Sequence, residues 1–330
     1  MRLGLIARYG NSGLGTLSWE FARHLKPAKV LLITNGAEQL FPERYSEFNV
    51  QRARQPFFMF PDEMDWLTQD VDTVLSFETF YNWRTISHAR NKRVKSVLVT
   101  MAELFPEKIP IMPDLFICPS KLDMDIVPGP KTFLPIPIAT DKLIWRKREK
   151  ANVFIHVASH GGIDDTRKGT GFLLEAMKSV KANIKLKIYT WRDFSVDDPR
   201  IEVVAANFKN YWQLYREGDV LIHPQGANGI SLPINEAMAS GMGVITTDQY
   251  PFNEYFPKEL LFKPSGFEKI RYSGSFREVE NPTIDPKILA EKIDEVANMD
   301  ISKYSLYGKK WAKQNSWDNL YEDWCRCLSV

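Results

Sequence analysis

The sequence predicts an α/β protein built from two parallel-sheet domains. At 330 residues it is too long for one ordinary core and suits two domains of roughly 100–200 residues each. Short apolar runs alternate with stretches of helical spacing along the chain. The first apolar run ends in a glycine-rich turn, as a strand feeding a helix does.

The elements follow in order. Residues 3–7 form a first strand, and 18–25 have helical spacing with Phe21 and Leu25 on one face. Residues 29–34 (KVLLIT) read as a buried strand closed by the Asn35-Gly36 turn signal. Further strands are expected at 71–77, 94–100 and 115–118. Such a series implies βαβ units, with ligands beyond the carboxyl ends of the strands. After the first strand come Tyr9, Gly10, Asn11, Ser12, Gly13, Leu14 and Gly15. Their glycine spacing is G-x-x-G-x-G, not the dinucleotide order, and no acid directly follows the second strand, so a nicotinamide site is not expected.

In the second half, residues 152–158 form a strand, followed by Ser159, His160, Gly161 and Gly162 and then Arg167-Lys168-Gly169. A helix is expected over 171–180, strands at 184–190 and 201–204, a short helix at 211–217 and a strand at 220–223. Residues 225–248 read QGANGISLPINEAMASGMGVITTD. This is a loop, a helix beginning near Pro233, a closing Gly241 and another buried strand. The loop amides and helix N-terminus suit an anion, and Glu236 lies one turn in, where a carboxylate can accept paired hydrogen bonds from a diol.

Composition sets the limits. Hydrophobic residues are 44% and charged residues 25%, which excludes a disordered tail, a collagen-like fibre and a disulfide-stapled mini-domain. No run approaches the roughly 20 apolar residues of a membrane span, and MRLGLIARYGNSG reads as neither signal peptide nor anchor. Cys118, Cys325 and Cys327 are odd in number and lack ligand spacing, so free thiols and a cytoplasmic location are expected.

The pattern resembles the GT-B-fold glycosyltransferases, in particular the retaining family 4 group. The resemblance rests on Lys168-Gly169 and on the run from Asn228 through Gly229, Ile230, Ser231, Leu232, Pro233 and Glu236 to Gly241. Pro119-Ser120, Leu214-Tyr215 and Ser316-Trp317 extend it. It implies two Rossmann-like domains facing a central cleft: an acceptor-side domain at 1–140, a nucleotide-sugar domain at 141–310, and a C-terminal helix at 311–330 crossing back to the first. It implies transfer of a hexose from a nucleoside diphosphate sugar, UDP-glucose favoured, to a hydroxyl with retention. Lys168, assisted by Arg167, would neutralise the donor diphosphate. Backbone at Gly229, Ile230, Ser231 and Leu232 would bind phosphate or sugar oxygens, and Glu236 the ribose. His160 and Gly161 would border the donor. Tyr9, Gly13, Leu14 and Gly15 would face the phosphates and acceptor, and Glu103 is a candidate acceptor-side carboxylate. Two departures stand out: Asn228 replaces the family's first glutamate, and the arginine that often follows the first-strand glycine is missing.

Asp123-Met124-Asp125 has the D-x-D spacing that binds metal in another glycosyltransferase fold, but here it reads as a helix face, and no essential metal is expected. Basic runs lie at 84–95 and at Lys142, Arg146, Lys147, Arg148 and Lys150. Residues 1–150 hold 21 Lys and Arg against 17 Asp and Glu, a net of +4, while the remainder nets −2. That balance suits an anionic acceptor such as hydroxymethylated DNA, a lipid or a glycan; solvated charge runs are the plainer reading. Two other functions remain open: a non-catalytic nucleotide-sugar-binding or assembly protein of the same fold, and an epimerase or phosphorylase.

Overall fold

The structure is a computed structural model that describes residues 1–36, 39–159, 162–206, 208–272 and 277–329. The chain divides into two compact units, the first holding Met1–Pro137 with the chain's end from Leu320, the second most of residues 138–319.

In the first unit seven strands form one sheet: β1 (Leu3–Arg8), β2 (Lys29–Ile33), β3 (Val50–Arg52), β4 (Thr73–Phe77), β5 (Lys95–Val99), β6 (Leu115–Cys118) and β7 (Lys131–Phe133). Their order is β3-β2-β1-β4-β5-β6-β7, with every pairing parallel. Its helices before the C-terminal segment are α1 (Gly13–Leu25), α2 (Pro61–Thr68), α3 (Arg84–Asn91) and α4 (Lys121–Ile126). Every residue of β1 and β4 is buried, which is why these strands read as unbroken apolar runs rather than alternating ones.

α1 begins five residues earlier than its apolar spacing suggests. Ser12 caps it, accepting from the Gly15 amide at 3.2 Å, so Gly13, Leu14 and Gly15 are its first turn and not a loop. A side chain at position 15 would put its Cβ 2.1 Å from the Gly10 carbonyl oxygen, so Gly15 is required by packing within the turn.

Asp123 lies on a helix, α4, as the sequence indicates. Ser120 caps α4, accepting from the Asp123 amide at 3.1 Å, and its hydroxyl donates to the Asp123 carboxylate. Asp123 is fully buried. Burial pushes its carboxyl up to about 7; the Ser120 and Thr100 hydroxyls oppose the rise, and the nearby Glu103 carboxylate adds to it.

In the second unit six strands form the sheet: β8 (Val153–Ser159), β9 (Lys185–Thr190), β10 (Ile201–Ala205), β11 (Val220–His223), β12 (Gly243–Thr247) and β13 (Leu261–Phe262). The order is β10-β9-β8-β11-β12-β13, again all parallel. β14 (Gly266–Ile270) and β15 (Val279–Thr283) form an antiparallel pair. The helices are α5 (Thr170–Met177), α6 (Leu232–Ala239), α7 (Pro286–Ala297) and α8 (Ser302–Gln314). Gly241 closes α6 as the sequence indicates. Its φ is +82°, its amide donates to Met238, and the Met242 amide donates to Ala237, the paired bonds of a Schellman ending.

The aromatic segment at 311–330 is two helices rather than one. α8 ends at Gln314, and α9 (Trp317–Leu328) follows. Trp311 lies in α8 and stacks on Tyr255 at 6.0 Å. Trp324 of α9 is fully buried in the first unit, edge-on to Phe21 at 4.6 Å, with its indole N–H on the Pro135 carbonyl at 3.1 Å. Burying one such ring contributes about 1.5–3 kcal/mol. No helix among the described residues is long and apolar enough to cross a membrane.

Candidate functional site

In each sheet the strand order reverses beside the first strand, at β1/β4 and at β8/β11. Beyond the carboxyl ends of such a pair, parallel sheets form their ligand crevice. In the second unit that place is occupied by the loop leading to Gly169 and by the loop after His223.

These two loops are locked together. Gly169 has φ +71°, and a Cβ there would lie 2.0 Å from the Pro224 carbonyl oxygen. Only glycine meets both demands. The Gly226 amide donates to the Arg167 carbonyl at 3.0 Å. Asp165 turns the chain just before: its carboxylate accepts from the Arg167 amide at 3.0 Å, and its carbonyl accepts from the Lys168 and Gly169 amides. Lys168 and Arg167 are half-buried at this junction, with the Arg167 guanidinium 5.8 Å from the Tyr272 ring centre. His160 and Gly161, expected beside them, lie outside the described residues.

Beneath the loops sit two buried histidines that sequence reasoning passes over, because each falls inside an apolar strand. His156 on β8 bonds the Ile222 carbonyl through Nδ1 and the Thr170 hydroxyl through Nε2, both at 2.9 Å. A carbonyl only accepts, so Nδ1 carries the proton and Nε2 accepts from Thr170. His156 is lowered to about 4, mainly by burial; the bond to the Ile222 carbonyl opposes the fall and the charge of Lys168 adds to it. His223, at the end of β11, is held well below its ordinary value by burial first and then by the charge of Lys168. The positive charge of this site therefore sits on Lys168 and Arg167, not on the histidines.

Five buried polar atoms on β11, the following loop and the start of α6 have no hydrogen-bond partner among the described residues. They are both ring nitrogens of His223, Nε2 of Gln225, Oγ of Ser231 and Oδ1 of Asn235. An unmade bond at a buried polar atom costs about 1–3 kcal/mol. A group of them suits a polar ligand that completes the bonds. Ser231 precedes α6 but does not cap it, unlike Ser12 and Ser120, so its hydroxyl stays available beside the helix N-terminus.

Asn228 is 3% exposed and turned into its own loop. Its side-chain carbonyl accepts from the Ile230 amide at 3.2 Å, and its amide nitrogen lies 3.4 Å from Gln225 Oε1. The Ile230 amide, expected to meet the donor, is thus already engaged. Gly229 is buried, and Leu232 opens α6 half-buried. Glu236, one turn in, is half-buried and accepts the Tyr215 phenol at 2.6 Å. Burial, and then the Glu236 charge, hold that phenol protonated, so it stays a donor. Leu214-Tyr215 was visible in the sequence only as part of a resemblance; its pairing with Glu236 was not.

The first-unit candidates are placed separately. Tyr9 follows β1, is 3% exposed, and its hydroxyl accepts from the Arg52 guanidinium at 3.2 Å. Gly13 is exposed and Leu14 half-buried on the first turn of α1. Glu103 lies in a short 3-10 turn after β5, 3% exposed, beside Asp123.

Fold and sequence together define the class. Residues 153–266 match the family model described as Glycosyl transferases group 1. The two doubly wound parallel sheets are those of the GT-B fold, and the segment that matches the family model lies in the second unit. A structure of Alr3699/HepE from Anabaena, in complex with UDP and glucose, superposes with a TM-score of 0.72 at 12% identity, covering 99% of both chains. A glycosyltransferase from Rickettsia africae gives 0.67 at 12% identity, over 99% of this chain and 97% of that one. Sucrose-phosphate synthase from Thermosynechococcus elongatus gives 0.66 at 13%, over 99% and 98%. No curated protein matches the chain in sequence.

Proposed function

We propose that the chain transfers a hexose from a UDP-sugar, UDP-glucose in first place, to an acceptor hydroxyl with retention. The observation that carries this is the interlock of the Lys168-Gly169 loop with the 224–231 loop, over a group of unpartnered buried polar atoms. The UDP and glucose bound by the similar Anabaena protein support the choice of donor.

In this reading Lys168 and Arg167 neutralise the diphosphate, and Ser231 with the α6 N-terminus binds its oxygens. Glu236, held by Tyr215, takes the ribose hydroxyls. The bond from the anomeric carbon to the phosphate oxygen breaks, and the acceptor oxygen bonds on the same face. The acceptor proton passes to the departing phosphate oxygen. Stabilising that leaving group is the principal contribution of the cations. Acceptor-side roles go to Tyr9, Gly13, Leu14, Gly15 and Glu103, and the net +4 of residues 1–150 favours an anionic acceptor.

The test is UDP release from UDP-glucose, with the released sugar followed by proton NMR. Slow hydrolysis that gives the α-anomer first, and that disappears in Lys168→Ala, is expected. The β-anomer first would overturn retention, and unchanged turnover in Lys168→Ala would overturn the role of the lysine. The inward-turned Asn228 favours one second reading, a nucleotide-sugar binder without turnover. Tight UDP binding with no sugar release from any acceptor class would select it.

A further inference from the structure

The basic run at 142–150 has no part in the donor site. Three of its members, Lys142, Arg146 and Arg148, join Arg216 around a concavity of about 190 Å³ in the second unit, with Trp212 and Tyr215 in its wall. No acidic side chain is among its described lining residues.

It lies at the opposite end of β11 and α6 from the crevice described above, with Tyr215, whose phenol holds Glu236, between the two. Arg216 and Arg148 surround the amino end of β11, and Ser240, just past the C-terminal end of α6, completes the wall. The candidate donor site lies at the carboxyl end of β11 and the N-terminal end of α6.

The charges here are only partly cancelled: Asp219 acts on Arg146 and Arg148, and Asp141 lies near Lys142. Arg148 is 3% exposed, yet its partners are all neutral carbonyls: Gly218 at 3.2 Å, Arg146 at 2.7 Å, Tyr215 at 3.1 Å and Ser240. Arg146 stands 3.9 Å from Asp219, whose other carboxylate oxygen accepts the Asn152 and Val153 amides. Lys142 lies over the Trp212 ring at 5.5 Å and 3.8 Å from the exposed Asp141. Arg216 is exposed, with no side-chain partner among the described residues. Four like charges in one concavity repel one another and concentrate a counter-anion. Guanidinium forks match phosphoryl oxygens, and a protein holds such an anion with charge-assisted bonds. The volume is below the roughly 300 Å³ at which pockets for drug-sized ligands begin, so a whole nucleotide is too large.

We propose that this concavity binds a small phosphate-bearing anion, at a site distinct from the donor site. The anion is either inorganic phosphate or the phosphoryl end of a hexose phosphate; both present the same dianion to Arg216, Arg146 and Lys142.

Titration calorimetry of the full chain in phosphate-free buffer tests it, with inorganic phosphate and glucose 6-phosphate as probes. Wild type and Lys168→Ala are expected to bind at least one probe equally well. The Lys142→Ala/Arg216→Ala double variant, altered outside the core, is expected to lose at least tenfold in affinity, with its circular dichroism unchanged. Equal affinities for the two probes assign free phosphate; at least tenfold tighter glucose 6-phosphate assigns the sugar phosphate. Absence of binding by both at millimolar concentration overturns the proposal. So does a double variant that binds like wild type, or binding lost in Lys168→Ala but kept in the double variant.

Discussion

Glu236 and Asp123 show how burial decides what a carboxylate does. Glu236 is half-buried and accepts the Tyr215 phenol. Removing that phenol in Tyr215→Phe takes away a hydrogen bond to a charged group, worth about 1.5–3 kcal/mol. The urea midpoint of the second unit is expected to fall, and UDP affinity with it; unchanged values for both would remove Tyr215 from the site. Asp123 is fully buried and raised to about 7, so between about pH 4 and 7 the folded state binds its proton while the unfolded state releases it. First-unit stability attributable to Asp123 therefore falls as pH rises through that window. Asp123→Asn, which keeps an acceptor for Ser120, is expected to flatten the fall when urea midpoints at pH 5 and pH 8 are compared. His156 acts with the opposite sign in the second unit. Its folded value is lowered to about 4, so stability present near neutrality is lost as pH falls from about 6.5 to 4.

At the scale of elements, the Lys168-Gly169 turn and the start of α6 form one device. Gly169→Ala meets both an unfavourable φ and the Pro224 carbonyl. It is expected to weaken UDP binding at least tenfold by displacing Lys168, measured by calorimetry; unaltered affinity would mean that the interlock does not position the lysine. Ser231→Ala is milder, since the hydroxyl caps nothing in the protein. The second-unit strands β8, β11 and β12 were legible because central parallel strands are largely apolar, and β9 because KLKIYT alternates. β3, β7 and β13 were not: all three are edge strands of two or three residues, and β3 and β7 are largely polar as well. The start of α1 was missed because its first turn is glycine-rich and carries no apolar stripe; Ser12 was the available cue. His156 and His223 were hidden because a polar residue inside an apolar run reads as an interruption until its neighbours in space are known.

At the scale of the whole molecule, the doubly wound topology occurs twice, and the sequence announced it through length and alternation. The donor-side constellation was legible in Lys168, Gly169 and Glu236, whereas the basic concavity was not. Its cations come from two segments about 70 positions apart, joined by folding around Arg148. The measurement that bears most directly on the account is thermal unfolding with UDP, ADP and GDP, for wild type, Lys168→Ala and Glu236→Ala. A ligand that binds only the folded state contributes about 2.7 kcal/mol at a hundredfold excess over its dissociation constant. The account predicts that UDP raises the second-unit transition of the wild type, by more than ADP or GDP, and that both substitutions reduce the rise. No shift with UDP in well-folded protein, or an equal shift in the two variants, would contradict it.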